Sequence, residues 1–408
     1  MKPLRILLIT AITFLSSITF VFSQSLSARD IEFDFFAPNK TSYKWQQTGY
    51  YGQMTIYDNG QKTGTTNDTY IDVQATHWLG KGFGVGLGVE GDWSGNHPAN
   101  GDILGRTWTI EPSLSYGKML SNKWGAYFTG DVSFGKDKDI YKSSTTNTTN
   151  TSDLFGYGLT IGFPYRISKY SAMTTKLFYD YSQDKTDASK QKDNTFGFGL
   201  GFEDYLGCSD FKCDVGSGFN VSKGKYDQGR WFIDAETGVL FKAGNTETHY
   251  NNPSLSFKDK FNNLDLGFHA NYYVFDHVGL GGGLTYNNSV QKSDDNAFQY
   301  NTNQFQFNPE VVFNMPADNG WRNLFVKAGG YFGSNNTEVK SNNTSTTTKE
   351  SSSGYNYGLG YYAFFADQTA FKICTYFTSI TYKEKDTDDK TRYKGFRAEV
   401  GISHSFGK

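Results

Sequence analysis

The chain has 408 residues and a formal net charge of −2, and its mean hydropathy is −0.56. The near-zero charge gives no electrostatic case for nucleic-acid binding, which depends on clusters of Lys and Arg. Aromatic residues make up 17 % of the chain, whereas disordered chains are poor in aromatic residues. A polar average with many aromatic residues is typical of a membrane β-barrel, in which only alternate strand residues must be apolar.

The N-terminal segment predicts export from the cytoplasm. Lys2 and Arg5 precede an uncharged, mostly apolar run over 6–22. This is the pattern of a secretory signal peptide, here cut between Ser23 and Gln24. A transmembrane anchor is the less favoured alternative, because the run is short and interrupted by Ser and Thr. No later apolar run is long enough to cross a membrane as a helix.

Segments with period-two alternation predict β-strands through the rest of the chain. Short turns alternate with long polar connections, a rhythm typical of outer-membrane barrels. The long connections cover 94–105, 136–152, 183–194, 288–300, 334–353 and 384–394. The predicted strands cover 47–58, 68–79, 83–93, 106–117, 124–135, 154–166, 170–182, 195–206, 231–245, 261–275, 278–288, 301–315, 321–333, 354–366, 370–383 and 393–406.

The chain also repeats itself. Residues 156–207 align without a gap onto 356–407, and Pro112 falls on Pro309 when the earlier strands are aligned. This indicates a tandem duplication of one eight-strand unit. Since proline removes a donor from the strand ladder, both prolines are expected at a bulge or bend. The predicted division is a signal peptide over 1–23, a first repeat over 24–207, a connector or extra strand over 208–230, and a second repeat over 231–408.

The strand count stays open at the segments outside the repeat units. Residues 208–230 alternate well enough to add a strand, in which case 247–257 must supply another and the total becomes eighteen. The same doubt covers the apolar segment 30–37, "DIEFDFFA".

The stretch "QFQFNPEVVFNMP" at 304–316 shows what each strand face is expected to meet. Phe305, Phe307 and Phe313 alternate with polar residues and are expected to face lipid. A Lys or Arg that faces lipid near the midplane costs about 2–4 kcal/mol, so charged strand residues are expected to face an aqueous lumen. The predicted lumen-facing residues are Asp131, Glu310, Lys327, Arg397 and Glu399.

Together these features resemble the eight-stranded outer-membrane β-barrel domains of Gram-negative bacteria, here in duplicate. The resemblance rests on the glycine-alternating strands "GVGLGVEGDW" and "FGFGLGF", the turn rhythm and the last strand. In that strand Glu399, Gly401, His404 and Phe406 occupy the family's assembly-signal positions, with His404 in place of an aromatic residue. The resemblance implies an outer-membrane location, contact with outer-membrane lipid, periplasmic termini, and recognition of this strand by the barrel-assembly machinery.

No motif predicts an enzyme, a cofactor or a metal site. Gly84, Gly86 and Gly88 recur at period two, whereas a phosphate-binding loop requires a following helix. The six histidines lack metal-ligand spacing. Cys208 and Cys213 flank a predicted turn and either form a disulfide or stay as two free thiols.

The sequence therefore predicts an all-β, transmembrane, antiparallel up-and-down barrel. A single barrel of sixteen to eighteen strands is favoured, and two tandem eight-stranded barrels are the alternative. The larger barrel leaves an aqueous channel and predicts a passive, porin-like path for small hydrophilic solutes. Side chains fill an eight-stranded barrel, so the alternative predicts a structural or surface-interaction protein without conductance. The solute, the surface partner and the oligomeric state stay open.

Overall fold

The computed structural model describes residues 34–406 apart from 46–48, 99–100, 144–146, 168–170, 208–225, 235–237, 252–253, 295–296, 318–321, 342–343, 367–368, 386 and 388. The predicted signal peptide, Cys208, Cys213 and most of the connector lie outside the described residues. Within these ranges, no helix is long and apolar enough to cross a membrane.

Eighteen strand segments follow one another along the described chain. They are β1 (Lys40–Trp45), β2 (Gly49–Asp58), β3 (Gln61–Gly80), β4 (Phe83–Pro98), β5 (Gly101–Met119), β6 (Gly125–Ser143), β7 (Asn147–Arg166), β8 (Ser171–Lys185), β9 (Ser189–Gly207), β10 (Trp231–Asp234), β11 (Gly238–Asn251), β12 (Ser254–Phe275), β13 (Val278–Ser293), β14 (Phe298–Ala317), β15 (Arg322–Ser341), β16 (Thr344–Ala366), β17 (Thr369–Glu384) and β18 (Lys390–Phe406).

The prediction of an antiparallel, up-and-down, all-β barrel is confirmed. Sixteen long strands close into one barrel, and two of them are each divided into a short and a long segment. β1 and β2 run along the same neighbour, β3, and β10 and β11 likewise run along β12. We call the end of the barrel at which β3 connects to β4 (80–83) the turn end, and the opposite end, at which β2 connects to β3 (58–61), the loop end.

The two divided strands exchange partners along their length. We use first repeat (24–207) and second repeat (231–408) below as names for the two predicted parts of the chain. β1 pairs with β9 of the first repeat, whereas its continuation β2 pairs with β18 of the second repeat. In the same way β10 pairs with β18, and its continuation β11 pairs with β9. The change of partner thus occurs twice around the barrel, once between β1 and β2 and once between β10 and β11.

The barrel consequently has different rings at its two ends. At the loop end, β2–β9 and β11–β18 form one closed ring, which we call the large ring. At the turn end, β1 with β3–β9 closes into a first small ring, and β10 with β12–β18 closes into a second small ring. Each small ring has eight strands, while the large ring has sixteen.

The long polar connections were predicted as loops, and this is wrong for most of their length. β6 continues to Ser143, β15 to Ser341, and β16 already begins at Thr344. Beyond the membrane both strand faces meet water, so the apolar alternation stops although the backbone pairing continues. The sequence pattern therefore marks only the part of each strand that carries an apolar outer face.

The two repeat prolines interrupt the ladder without forming a bulge. β5 pairs Ile110 with Phe134 and resumes at Ser113 with Asp131 in unchanged register. β14 has the same gap around Pro309. Proline has no N–H to donate to a neighbouring strand. Here the residues around each proline lack a paired partner on one of the two neighbouring strands.

An apolar belt surrounds the barrel, and β4 shows its composition. Phe83, Val85, Leu87, Val89 and Trp93 lie on the outer face and are 40–60 % exposed. Their span of about ten residues matches the length of a tilted membrane-spanning strand, with an aromatic residue at each boundary.

Candidate functional site

The inner and outer faces of β14 differ sharply in exposure. Phe305, Phe307 and Phe313 are 43–47 % exposed on the outer surface, whereas Glu310 is 7 % exposed and Val312 is 3 % exposed. The alternation continues through Pro309, because the strand keeps its register there. The interior is therefore the face that carries the candidate chemistry.

An aromatic cluster fills the first small ring. Phe36 packs edge-on against Trp78 with ring centroids 4.7 Å apart, and Phe35 stacks on Tyr205 at 4.3 Å. A Cβ placed on Gly117 or Gly125 would lie 2.6 or 2.9 Å from the Phe36 ring. The Phe36 ring therefore occupies space that is open only because β5 and β6 carry glycine at these two positions.

A second aromatic cluster fills the second small ring. Tyr226 stacks on Phe232 at 5.3 Å and meets Tyr273 and Phe364 edge-on at 5.8 and 6.1 Å. Phe325 and Tyr362 extend the cluster across the ring. Burial raises the pKa of the Tyr226 hydroxyl, which lies on the segment that precedes β10.

The two aromatic clusters are built in the same way. In each case, a segment just before the first strand of a repeat inserts an aromatic side chain into the ring that this repeat forms. Phe36 precedes β1, and Tyr226 precedes β10. The small rings are therefore packed with side chains at the turn end, as expected for eight-stranded barrels.

A buried ion pair lies next to the first aromatic cluster. Lys176 Nζ is 3.0 Å from Glu203 Oε1. The hydroxyls of Tyr127 and Tyr205 donate to the two oxygens of Glu203 at 2.7 and 2.8 Å, and Thr174 donates to Oε2 at 3.1 Å. The carboxylate thus has four partners, which offsets the cost of burying a charge.

The second small ring contains a larger charged network, and it includes two of the predicted residues. His269 bridges Asp234 at 2.6 Å and Glu310 at 3.1 Å. Lys327 Nζ lies 3.4 Å from Glu310, and Lys372 Nζ lies 2.6 Å from Asp234. Each buried carboxylate therefore has a lysine partner, and His269 lies between the two carboxylates.

Arg397 and Glu399 extend the charged network towards the loop end. Arg397 Nε is 3.2 Å from Glu399 Oε1, and its guanidinium lies over the Tyr50 ring at 4.6 Å. Tyr376 donates a short hydrogen bond to Glu399, and Lys327 lies 5.0 Å from the Tyr376 ring centre. Four predicted lumen residues therefore belong to one connected arrangement.

The fifth predicted residue, Asp131, lies in a separate acidic pocket of about 250 Å³. Asp72, Glu111 and Asp180 line the same pocket, together with Lys176 and Lys242. Lys242 belongs to β11 and the others to the first repeat, so the two repeats meet at this pocket.

The C-terminal strand has an unexpected contact at the turn end. His404 is 1 % exposed, and its ring packs at a tilt of 30° against Phe202 of the first repeat, with centroids 4.6 Å apart. Ser171 Oγ and Thr369 Oγ1 are 2.8 Å apart in the same seam between the two small rings. Phe406 lies 6.3 Å from His404. His404, which departs from the family's aromatic pattern, therefore packs between the rings.

Sequence reasoning missed several members of these networks. His269 contacts the predicted residue Glu310 and also Asp234, which in turn contacts Lys372. Asp234 and Lys372 are separated by 138 positions in the chain. Alternation indicates the face of a residue but gives no cross-barrel neighbour. In the part of the chain that the structure describes, no group of three or more His, Cys, Asp or Glu is arranged to hold a metal ion.

Comparison with protein-family models gives a match over part of the chain. Residues 234–406 match the model of the outer membrane protein beta-barrel domain. No curated protein matches the chain. This match and the closed barrel support an outer-membrane location.

Three solved structures are among those that the chain matches. The outer membrane transporter YddB from Escherichia coli is 10 % identical with a TM-score of 0.35, and the match covers 85 % of this chain and 60 % of that chain. The Pseudomonas putida toluene transporter TodX is 8 % identical with a TM-score of 0.31, covering 91 % and 90 %. OccAB1 from Acinetobacter baumannii is 8 % identical with a TM-score of 0.29, covering 92 % and 100 %. Likeness at this level carries no argument about function.

Proposed function

We propose that the protein is an outer-membrane barrel whose large ring encloses a polar vestibule at the loop end. The two filled small rings close this vestibule at the turn end, and we call the arrangement a blind vestibule. The vestibule receives a surface partner or ligand from outside, and no steady flow of solute passes through. One observation carries the proposal, namely that aromatic side chains fill both small rings. Eight-stranded barrels have interiors just wide enough for such side chains.

The proposal includes the finer expectations from the sequence. The mature chain begins at Gln24, both termini are periplasmic, and the two repeats derive from a fused pair of eight-stranded barrels. The small rings support the fused pair, since each is made by one repeat. The last strand, with Glu399, Gly401, His404 and Phe406, is the segment that the barrel-assembly machinery recognises.

A passive channel for small hydrophilic solutes is the second candidate. The sixteen strands of the large ring favour it, because a ring of this size encloses an aqueous space. The two candidates differ in whether that space continues to the turn end.

Planar-bilayer recordings distinguish the two candidates. Because both small rings are packed, we expect no steady ohmic conductance from wild-type protein whose insertion is verified in the same membranes. A general porin in parallel recordings is the positive control. Steady conductance of the wild-type protein would reject the blind vestibule and support the passive channel.

Cysteine labelling tests how deep the aqueous space extends. In a background with Cys208, Cys213 and Cys374 replaced by serine, a hydrophilic maleimide should label Gln306→Cys in proteoliposomes. Val312→Cys has the same strand parity but lies within the second aromatic cluster, so it should stay unlabelled. Phe305→Cys is the lipid-facing control and should also stay unlabelled.

Each alternative gives a different labelling pattern. Equal labelling at 306 and 312 would indicate an open channel through the second small ring. Labelling at 305 with protection at 306 would reverse the assignment of the two faces.

A further inference from the structure

An apolar groove of about 310 Å³ opens on the outer surface where the large ring divides into the small rings. Its side chains come from both repeats. Met173, Leu200 and Phe202 belong to β8 and β9, and Val239, Leu266 and Phe268 belong to β11 and β12.

The partner exchange of β9 creates this groove. Val239 on β11 lies between Leu200 on β9 and Leu266 on β12 and pairs with both. From Phe202 onwards β9 pairs with β1 instead, while β12 continues beside β10. The outer faces of β9 and β12 therefore separate on the turn-end side of Leu200, Val239 and Leu266.

The groove is continuous with the apolar belt of the barrel. Met173 and Phe268 are 39 % and 48 % exposed on the outer face, like the other belt residues. Soluble ligands are usually oriented by a few well-placed polar groups, whereas the side chains that line this groove are all apolar. The chemistry therefore suits a hydrocarbon chain supplied by the surrounding membrane.

We propose that this groove binds one acyl chain of a glycerophospholipid from the leaflet at the turn end. Met173 lies near the start of β8, directly after a turn-end connection, and Phe202 lies near the turn-end terminus of β9. A lipid of that leaflet thus reaches the groove with its chain while its headgroup stays at the interface. The inference rests on the membrane location within the proposed function and adds a specific lipid to it.

Native mass spectrometry of the protein in mild detergent tests the site. The wild-type chain should retain one phospholipid through purification. Leu266→Trp places an indole in the groove and should reduce the retained fraction at least tenfold. Leu159→Trp makes the same change on a belt residue of β7 that does not line the groove, so it should retain lipid like the wild type.

A second measurement covers the case in which Leu266→Trp fails to fold. A phospholipid with a photoreactive acyl chain, reconstituted with the wild-type protein, should label peptides that contain Val239 or Leu266 in preference to the rest of the belt. Even labelling around the belt, or a wild-type chain that retains no phospholipid, would overturn the proposal. Retention of lipopolysaccharide instead would reject the assigned leaflet and, with it, the proposal.

The outcome is independent of the conductance measurement. Retained lipid together with steady conductance would reject the blind vestibule but keep the lipid site. Absence of both lipid and conductance would keep the vestibule and reject the lipid site.

Discussion

Replacing Glu203 by leucine should destabilise the folded barrel by about 3–5 kcal/mol, because the buried ammonium of Lys176 loses the carboxylate with which it is paired. The side chains of Lys176 and Glu203 are only 11 % and 1 % exposed. The change also removes the acceptor for the hydroxyls of Tyr127 and Tyr205. Urea titration in proteoliposomes, followed by the mobility of unheated samples on gels, measures the loss.

Two further variants make this result specific. Glu203→Leu combined with Lys176→Met removes both charges and should recover part of the loss. Asp153→Asn breaks the exposed pair between Lys136 and Asp153, whose side chains are 58 % and 77 % exposed. Its cost should stay below about 1 kcal/mol. Wild-type stability of Glu203→Leu would show that the carboxylate does not have the buried environment described above.

Alternation was sufficient to predict the outer faces of the strands. In β14 the apolar positions, such as Phe305 and Phe313, lie on the exposed surface. Period-two patterning identifies a face wherever lipid covers one side and polar groups cover the other. The same reasoning failed for the long connections, because a strand beyond the membrane has two polar faces and no periodic signal.

The exchange of partners had no signature in the sequence. Backbone pairing is largely independent of side-chain identity, so nothing in β18 indicates that it pairs with β2 near Lys394 and with β10 near Phe406. The aromatic residues in the small rings were ambiguous for another reason. Phe35 and Phe36 fit an extra strand as well as they fit an inserted segment. His404 was noted only as a departure from an aromatic pattern, because its neighbour Phe202 belongs to the other repeat.

The partner exchange makes a direct prediction for β18. Lys394 pairs with Thr55 of the first repeat, and Phe406 pairs with Trp231 of its own repeat. In the background without native cysteines, two double-cysteine variants should therefore both form disulfides in the folded protein. They are Thr55→Cys with Lys394→Cys, and Trp231→Cys with Phe406→Cys. Each single variant is first checked for folded yield.

The cross-linking measurement tests the central claim that the barrel has one large ring at one end and two small rings at the other. Two further double-cysteine variants represent the alternative architectures. If two separate barrels formed, β11 would continue along β18 and bring Asn245 near Lys394. If one ring persisted throughout, β1 would continue along β18 and bring Thr41 near Phe406. We expect efficient cross-linking of 55 with 394 and of 231 with 406, and little of 245 with 394 or of 41 with 406. Efficient cross-linking of either competing pair, with loss of the corresponding expected pair, would contradict the divided barrel.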